Sequence, residues 1–245
     1  MTRQALLLAA ALLAAQAAAP EVEITAEPNH HLTFENKSVR VFNVEVPPHA
    51  ATLMHWHRHD YIYVTLGDTE VVNAVKDKPP VTVQLHDGET RFSSAPFAHI
   101  ARNQTDHTFR NVTIEILEDE SLRHANSPWQ TKQAAEQNED RALITFPGGT
   151  QQILFVKDAI RVSEFELQPG AFVPMQHNPG PHLLVAITDL DLRQNGIRSD
   201  DKKAQPGPMP GHFNSGDSKW LPGHYSHTIT NTGSKPAKFV TLEFP

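Results

Sequence analysis

Two histidines separated by one residue, His55 and His57, are the clearest chemical signal in the sequence. They are followed by alternating apolar and polar residues from Tyr61 to Leu66, a pattern that predicts β-strand structure. On a strand, side chains two residues apart project from the same face, so both imidazoles should point into one small volume. Because neutral imidazole is a common ligand of transition metals, the pair predicts part of a metal site. The best third ligand is His99, since residues 88–103 are typical of a turn followed by a short strand.

The spacing of these residues resembles the two motifs of the cupin superfamily. One motif has HxH, an acid and a glycine; the other has a glycine, a proline, a histidine and an asparagine. The matching residues are His55, His57, Asp60 and Gly67, followed by Gly88, Pro96, His99 and Asn103. This chain departs from the family by having Asp60, one residue closer to HxH, where the family usually has glutamate. It also has Pro96 where the second motif has a glycine. The resemblance implies a small β-barrel with His55, His57 and His99 on one metal ion.

The chain contains an internal repeat, so the strands around these residues should occur twice. Residues 40–50 align without gaps on residues 161–171, at an offset of 121. Further along, His99 aligns on His227 and Asn103 on Asn231, at an offset of 128. The difference indicates an insertion of seven residues (128 − 121), which we place within the Pro- and Gly-rich residues 194–214.

We therefore predict an all-β fold of two tandem cupin-type antiparallel β-barrels, each a double-stranded β-helix or jelly roll. The N-terminal barrel should span residues 24–118 and the C-terminal barrel residues 146–245. A polar connector should occupy residues 119–145, with one plausible helix at residues 131–142.

The register of the repeat predicts that only the first barrel binds metal. At the offset of 121, His55 falls on Gln176 and His57 on Asn178, and of the three ligands only His99 has a histidine counterpart, His227. Amide oxygens are weak neutral ligands, so the second set should form a polar pocket. His177 and His182 fall on outward positions by alternation, because a one-residue shift on a strand reverses the face.

Three residues beside the HxH motif are candidates for acid–base chemistry: Asp60, His59 and Tyr61. By alternation Asp60 should face the cavity with Ile62, where it could bind the metal or orient a ligand. His59 lies in the connecting turn and could carry a proton.

Three polar residues outside this group have other expected roles. Arg91 could hold an anionic substrate if it points inward. Asn103 is expected to satisfy backbone groups of a turn, as is its counterpart Asn231.

Composition and the N-terminal residues predict an exported protein. Arg3 precedes an apolar run that is too short to anchor in a bilayer, and Ala15-Gln16-Ala17 fits a signal-peptidase site, so residues 1–17 should be a signal peptide. The remaining chain should be periplasmic or secreted and free of the membrane. The absence of cysteine excludes disulfides and thiolate ligands, and the net charge of −7 argues against nucleic acid. We expect a monomer or homodimer with a small-molecule ligand.

Two functions of different classes follow from these features. The family resemblance implies a metal-dependent enzyme such as a dioxygenase, isomerase, decarboxylase or lyase. A three-histidine site without the glutamate looks most like the carbon–carbon-cleaving dioxygenases, which makes Fe(II) the first choice among Fe, Zn, Mn and Ni. The alternative is a non-catalytic module that binds a small carboxylate or sugar through its metal. A general base in the cavity would distinguish an isomerase or lyase from a binding module or a dioxygenase.

Overall fold

The computed structural model describes residues 20–118, 142–157, 159–199 and 211–245, apart from the side chains of residues 177, 178 and 196–199. The predicted signal peptide, most of the connector and residues 131–141 of the predicted helix lie outside these residues. Within them, one turn of 3-10 helix occurs at Ile24–Ala26, and the remaining regular structure is β-strand. No helix in the described ranges is long and apolar enough to cross a membrane.

Ten strands form the first half of the chain. They are β1 (Val22–Glu23), β2 (His30–Glu35), β3 (Val39–Val46), β4 (His55–His57), β5 (Tyr61–Leu66), β6 (Thr69–Val75), β7 (Val81–Leu85), β8 (Thr90–Ser93), β9 (Phe97–Asn103) and β10 (Phe109–Ile116).

Ten further strands form the described part of the second half. They are β11 (Leu143–Phe146), β12 (Gly149–Lys157), β13 (Ile160–Leu167), β14 (Phe172–Asn178), β15 (His182–Ala186), β16 (Leu190–Ser199), β17 (His212–Phe213), β18 (Ser218–Leu221), β19 (Tyr225–Asn231) and β20 (Ala237–Glu243).

Each half is built from two sheets whose neighbouring strands are mostly distant in sequence. The first half has the orders β1-β4-β9-β6-β7 and β2-β3-β10-β5-β8, and the second has β11-β12-β13-β20-β15-β18 and β14-β19-β16-β17. Neighbours run antiparallel except β1 and β4, which are parallel. Antiparallel sheets with such crossovers are jelly-roll barrels, so the predicted all-β fold is confirmed.

The two halves match strand for strand from β2–β10 to β12–β20. Both second strands even carry a bulge at the same place, between Leu32 and Phe34 and between Ile153 and Phe155. The seven-residue insertion was predicted within residues 194–214; residues 194–199 of this range continue β16, which pairs with β19. The rest of the predicted insertion falls largely in residues 200–210, outside the described part.

The largest apolar core lies between the two halves. Ile62 and Val64 of β5 are fully buried and pack in one cluster with Val185 of β15 and Leu242 of β20. The period of two predicted for β5 is therefore correct, but the predicted face is wrong. The apolar face of β5 packs against the second barrel. The opposite face, which carries Tyr61, therefore lines the interior of the first barrel.

Candidate metal centre

Strands β4 and β9 bring three histidines together inside the first barrel. His55 and His57 lie two residues apart on β4, and His99 lies directly opposite His55 on the antiparallel β9. The Nε2 atom of His57 is 3.2 Å from Nε2 of His55 and 3.1 Å from Nε2 of His99. His55 is 0% and His57 2% exposed. In the described part of the chain, these three residues, here called the histidine triad, are the group of side chains that could hold a metal ion.

The spacing of the triad fits a divalent ion. Three nitrogens at about 2.1 Å from one ion lie about 3.0 Å apart at right angles and about 3.4 Å apart in a tetrahedron. The observed separations of 3.1 and 3.2 Å fall within this range. A donor set of three imidazoles suits Fe, Zn, Ni or Cu.

Hydrogen bonds at the far side of two imidazoles leave their Nε2 lone pairs free. His55 donates its Nδ1–H to the carbonyl oxygen of Leu53 at 2.9 Å, and His99 donates its Nδ1–H to Oδ1 of Asn73 at 2.7 Å. Such outer partners fix the tautomer and the ring orientation of a metal ligand. The Nδ1 of His57 is buried and has no hydrogen-bond partner among the described residues.

Burial keeps the triad uncharged. It lowers the pKa of His55 to about 4, with a further contribution from His30. Burial likewise holds the pKa of His57 and of His99 well below the ordinary value, and the neighbouring imidazoles add to the effect. All three rings are therefore neutral near pH 7, which is the form that binds a metal.

The triad opens onto a cavity of about 170 Å³. Tyr61 lies in its wall, 7% exposed, and stacks on His57 with 4.2 Å between ring centroids. Arg91 also lines the cavity, beside Tyr63, and its guanidinium contacts Glu89. No aspartate or glutamate is among the described residues that line this cavity.

The remaining acid–base candidates lie outside the cavity wall. Asp60 accepts a hydrogen bond from the backbone N–H of Ala95 at 2.7 Å, so the prediction that it faces the cavity is wrong. The reason is the reversed face of β5. His59 is partly buried in the turn after β4 and does not line the cavity.

Three residues of the site were not predicted from the sequence: His30 and Asn73, which line the cavity, and Glu27, which is bonded to His30. His30 lines the cavity, and its ring centroid is 4.6 Å from that of His55. Its Nδ1 is hydrogen-bonded to Glu27 at 2.5 Å. All three lie outside both cupin-like motifs, so only the internal repeat could have pointed to any of them from the sequence. Asn73 aligns on Gln194 at the offset of 121, which places an amide at the same point of both barrels.

The second barrel places Gln176 and His227 together, but in a much smaller cavity of about 20 Å³. Gln176 pairs with His227 across β14 and β19 and donates its amide to Oε1 of Gln151 at 3.0 Å. The outward position predicted for His182 is wrong: it is 3% exposed and stacks on His227 at 5.6 Å. The predictions for His177 and Asn178 concern side chains that lie outside the described part.

Comparisons with known proteins show the fold of the chain. No protein-family model and no curated protein matches it. An oxalate decarboxylase structure matches with a TM-score of 0.60 and 12% identity, covering 88% of this chain and 75% of that chain. The oxalate decarboxylase of Bacillus subtilis, in a variant form, gives 0.59 and 11%, covering 90% and 76%. That of Lactobacillus farciminis, as a formate complex, gives 0.58 and 16%, covering 88% and 83%. This similarity identifies the tandem cupin-type fold.

Proposed function

We propose that this protein is a cupin-type, metal-dependent enzyme that uses one divalent ion in the first barrel to convert a small organic acid. The observation that carries the proposal is the convergence of three neutral imidazole nitrogens on one cavity. The cavity volume of about 170 Å³ is below the roughly 300 Å³ at which drug-sized pockets begin. A substrate of a few heavy atoms fits such a space.

The charges in the cavity favour an anionic substrate. Three neutral imidazoles would leave a bound divalent ion with its full double charge, and no carboxylate among the described lining residues offsets it. Arg91 adds a guanidinium to the wall, but it is paired with Glu89, so the bound ion would supply the net positive charge. Opposite charges attract strongly in a site shielded from water, so a carboxylate substrate is the natural complement.

Each residue of the site has a distinct part in this proposal. The triad holds the ion, which when bound polarises a substrate oxygen or brings dioxygen next to the substrate. Burial raises the pKa of Tyr61 to about 12, so its hydroxyl keeps its proton and serves as a hydrogen-bond donor. Arg91 positions the substrate carboxylate, and His30 is the cavity imidazole outside the triad that could move a proton.

The positions of the acid–base candidates favour oxidative or decarboxylating chemistry over isomerisation. Asp60 and His59 do not line the cavity, and Tyr61 is a weak base at its raised pKa. An isomerase or lyase would have to rely on His30 as its base. The structurally similar oxalate decarboxylases include one studied for its Mn(II) centres, so Fe(II) and Mn(II) are the first ions to test.

The test is turnover by metal-loaded protein. Protein loaded separately with Fe(II), Mn(II) and Zn(II) is supplied with oxalate, other small carboxylic acids and enols, while dioxygen uptake and carbon dioxide release are recorded. We expect turnover of a carboxylic acid by Fe(II) or Mn(II) protein and none by His57→Ala. Metal binding without turnover of any compound would instead support a small-ligand-binding module, and failure to bind any of these metals would overturn both functions.

We also propose that the chain is exported to the periplasm or medium, on the basis of residues 1–17. N-terminal sequencing of the protein from a bacterial host should give a mature start near Ala18. An intact Met1 on protein from the cytoplasm would contradict this.

A further inference from the structure

A short N-terminal segment, residues 22–30, lies beside the strand that carries the HxH motif; we call it the N-terminal strap. It contains β1, the 3-10 turn and the first residue of β2. β1 pairs in parallel with β4, with Val22 opposite His55, and the N–H of Val22 donates to the carbonyl of Met54 at 2.9 Å. The strap is thus attached directly to the metal-binding strand.

The strap carries a buried carboxylate, Glu27, which is 2% exposed. Its two oxygens accept from the backbone and side-chain nitrogens of Asn29 at 2.8 and 2.9 Å. They also bond Nδ1 of His30 at 2.5 Å and the backbone N–H of Leu53 at 3.1 Å. Burial alone would raise the pKa of Glu27, but the hydrogen bonds from His30, Asn29 and Leu53 lower it to about 2.

Leu53 connects this carboxylate to the histidine triad. Its N–H donates to Glu27, and its carbonyl oxygen accepts the Nδ1–H of His55 at 2.9 Å. The same residue is therefore held by the carboxylate and in turn holds a metal-binding imidazole. Glu27 also fixes His30, whose ring packs against that of His55.

The second barrel lacks both partners of this contact. At the offset of 121, Glu27 falls on Gly148, and Leu53 falls on Pro174, which has no N–H to donate. The strand that follows the connector, β11, pairs antiparallel with β12 and has no contact of the β1–β4 kind. Among the described residues, the carboxylate contact and the histidine triad thus both occur in the first barrel, and neither occurs in the second.

We propose that Glu27 is a positioning residue of the metal centre, because it fixes Leu53 and thereby the orientation and tautomer of His55. This inference rests on the proposed metal site. Loss of the direct outer partner of a ligand weakens metal binding by about 10–100-fold, and Glu27 acts one bond further out, through Leu53, so its loss should cost about tenfold. Glu27→Gln keeps the size of the side chain but replaces one accepting oxygen with an NH₂ group. Glu27→Asp keeps the charge but is one methylene too short to reach its partners.

The experiment is titration of the full chain with Co(II), with affinity and the visible absorption spectrum as readouts. The matched control is Glu243→Gln, which removes another buried carboxylate, one bonded to Arg161 in the second barrel. We expect Glu27→Gln and Glu27→Asp to bind Co(II) about tenfold more weakly than the wild type, with shifted absorption bands. Glu243→Gln should lose stability but keep the wild-type affinity and spectrum.

The outcomes separate this inference from the proposed function. Wild-type affinity and bands in folded Glu27 variants would overturn the positioning role while the metal site stands. Equal spectral changes in Glu243→Gln would also overturn it, because any loss of stability would then suffice. If Glu27→Gln does not fold, Glu27→Asp decides by the same criteria. A wild-type chain that binds no Co(II) would remove the metal site and this inference together.

Discussion

His55 in the first barrel and Gln176 in the second occupy the same place in the same backbone. Each lies opposite a histidine of its antiparallel partner strand, His99 or His227. Yet the first pair opens onto about 170 Å³ and the second onto about 20 Å³. Two barrels with one strand order therefore differ in what they can bind, because fold fixes the positions and side chains fix the chemistry.

The outer hydrogen bonds differ in the same way. In the first barrel, Asn73 accepts from Nδ1 of His99 at 2.7 Å. Gln194 stands at the equivalent point of the second barrel, but Nδ1 of His227 has no partner among the described residues. In a barrel that binds no metal, the ring of His227 does not need to be held in one orientation, so the lack of a partner at its Nδ1 is expected.

Other features are shared by both barrels, which marks them as structural. Arg40 bonds the buried Glu115 at 3.1 Å, and Arg161 bonds Glu243, its counterpart, at 2.7 Å. Burial raises the pKa of both carboxyls. Because the pair persists in the barrel without a triad, its role is to stabilise the barrel.

The largest effect should come from the triad itself. His57→Ala leaves two imidazoles, and metal affinity should fall by more than the roughly 10–100-fold cost of an outer partner. The matched change His227→Ala in the second barrel should leave metal content near that of the wild type. Metal analysis after dialysis measures both, and equal losses in the two variants would remove the asymmetry.

A smaller loss should follow removal of the outer partner of His99. Asn73→Leu deletes the acceptor of its Nδ1–H, so metal affinity should drop by about 10–100-fold. Gln194→Leu, at the matching position, should change affinity little. Calorimetric titration of the two variants compares them, and an unchanged affinity in Asn73→Leu would refute the role of this hydrogen bond.

Acid should destabilise the second barrel whether or not metal is present. Burial lowers the pKa of His227 to about 4, below its ordinary 6.5, so the unfolded chain takes up the proton first as pH falls. The buried neutral ring therefore leaves the free energy of unfolding unchanged above about pH 6.5. Between about pH 6.5 and pH 4 this free energy falls progressively, by a total on the order of 3 kcal/mol. The melting temperature of His227→Gln should therefore decrease less between these pH values than that of the wild type. An unchanged slope would contradict the burial of a neutral imidazole.

The smallest effect on metal should come from the shared ion pairs. Glu115→Gln and Glu243→Gln should each lower the free energy of unfolding by about 1–3 kcal/mol, since a buried charge-assisted bond is lost in both. Metal content should stay at the wild-type level in both variants. Denaturant unfolding and metal analysis test this, and metal loss confined to Glu115→Gln would show that the first pair also serves the metal centre.

The repeat and the HxH spacing were enough to predict the fold and the convergence of the triad. Asn103 was also readable: it donates to the carbonyls of Val46 and His107, as expected of a turn residue, and Asn231 does the same for Leu167. The face of β5 was not readable, because strand periodicity gives the alternation but not which side a second barrel will cover. Glu27 and His30 were missed because they belong to no motif, and because the residues that link them to the triad, Leu53 and His55, are distant in sequence.

Anomalous diffraction from crystals loaded with one transition metal tests the asymmetry of the barrels most directly. The account predicts one strong peak per chain, about 2.0–2.3 Å from the Nε2 atoms of His55, His57 and His99, and none beside Gln176 and His227. A comparable peak in the second barrel, or no peak at the triad, would contradict it.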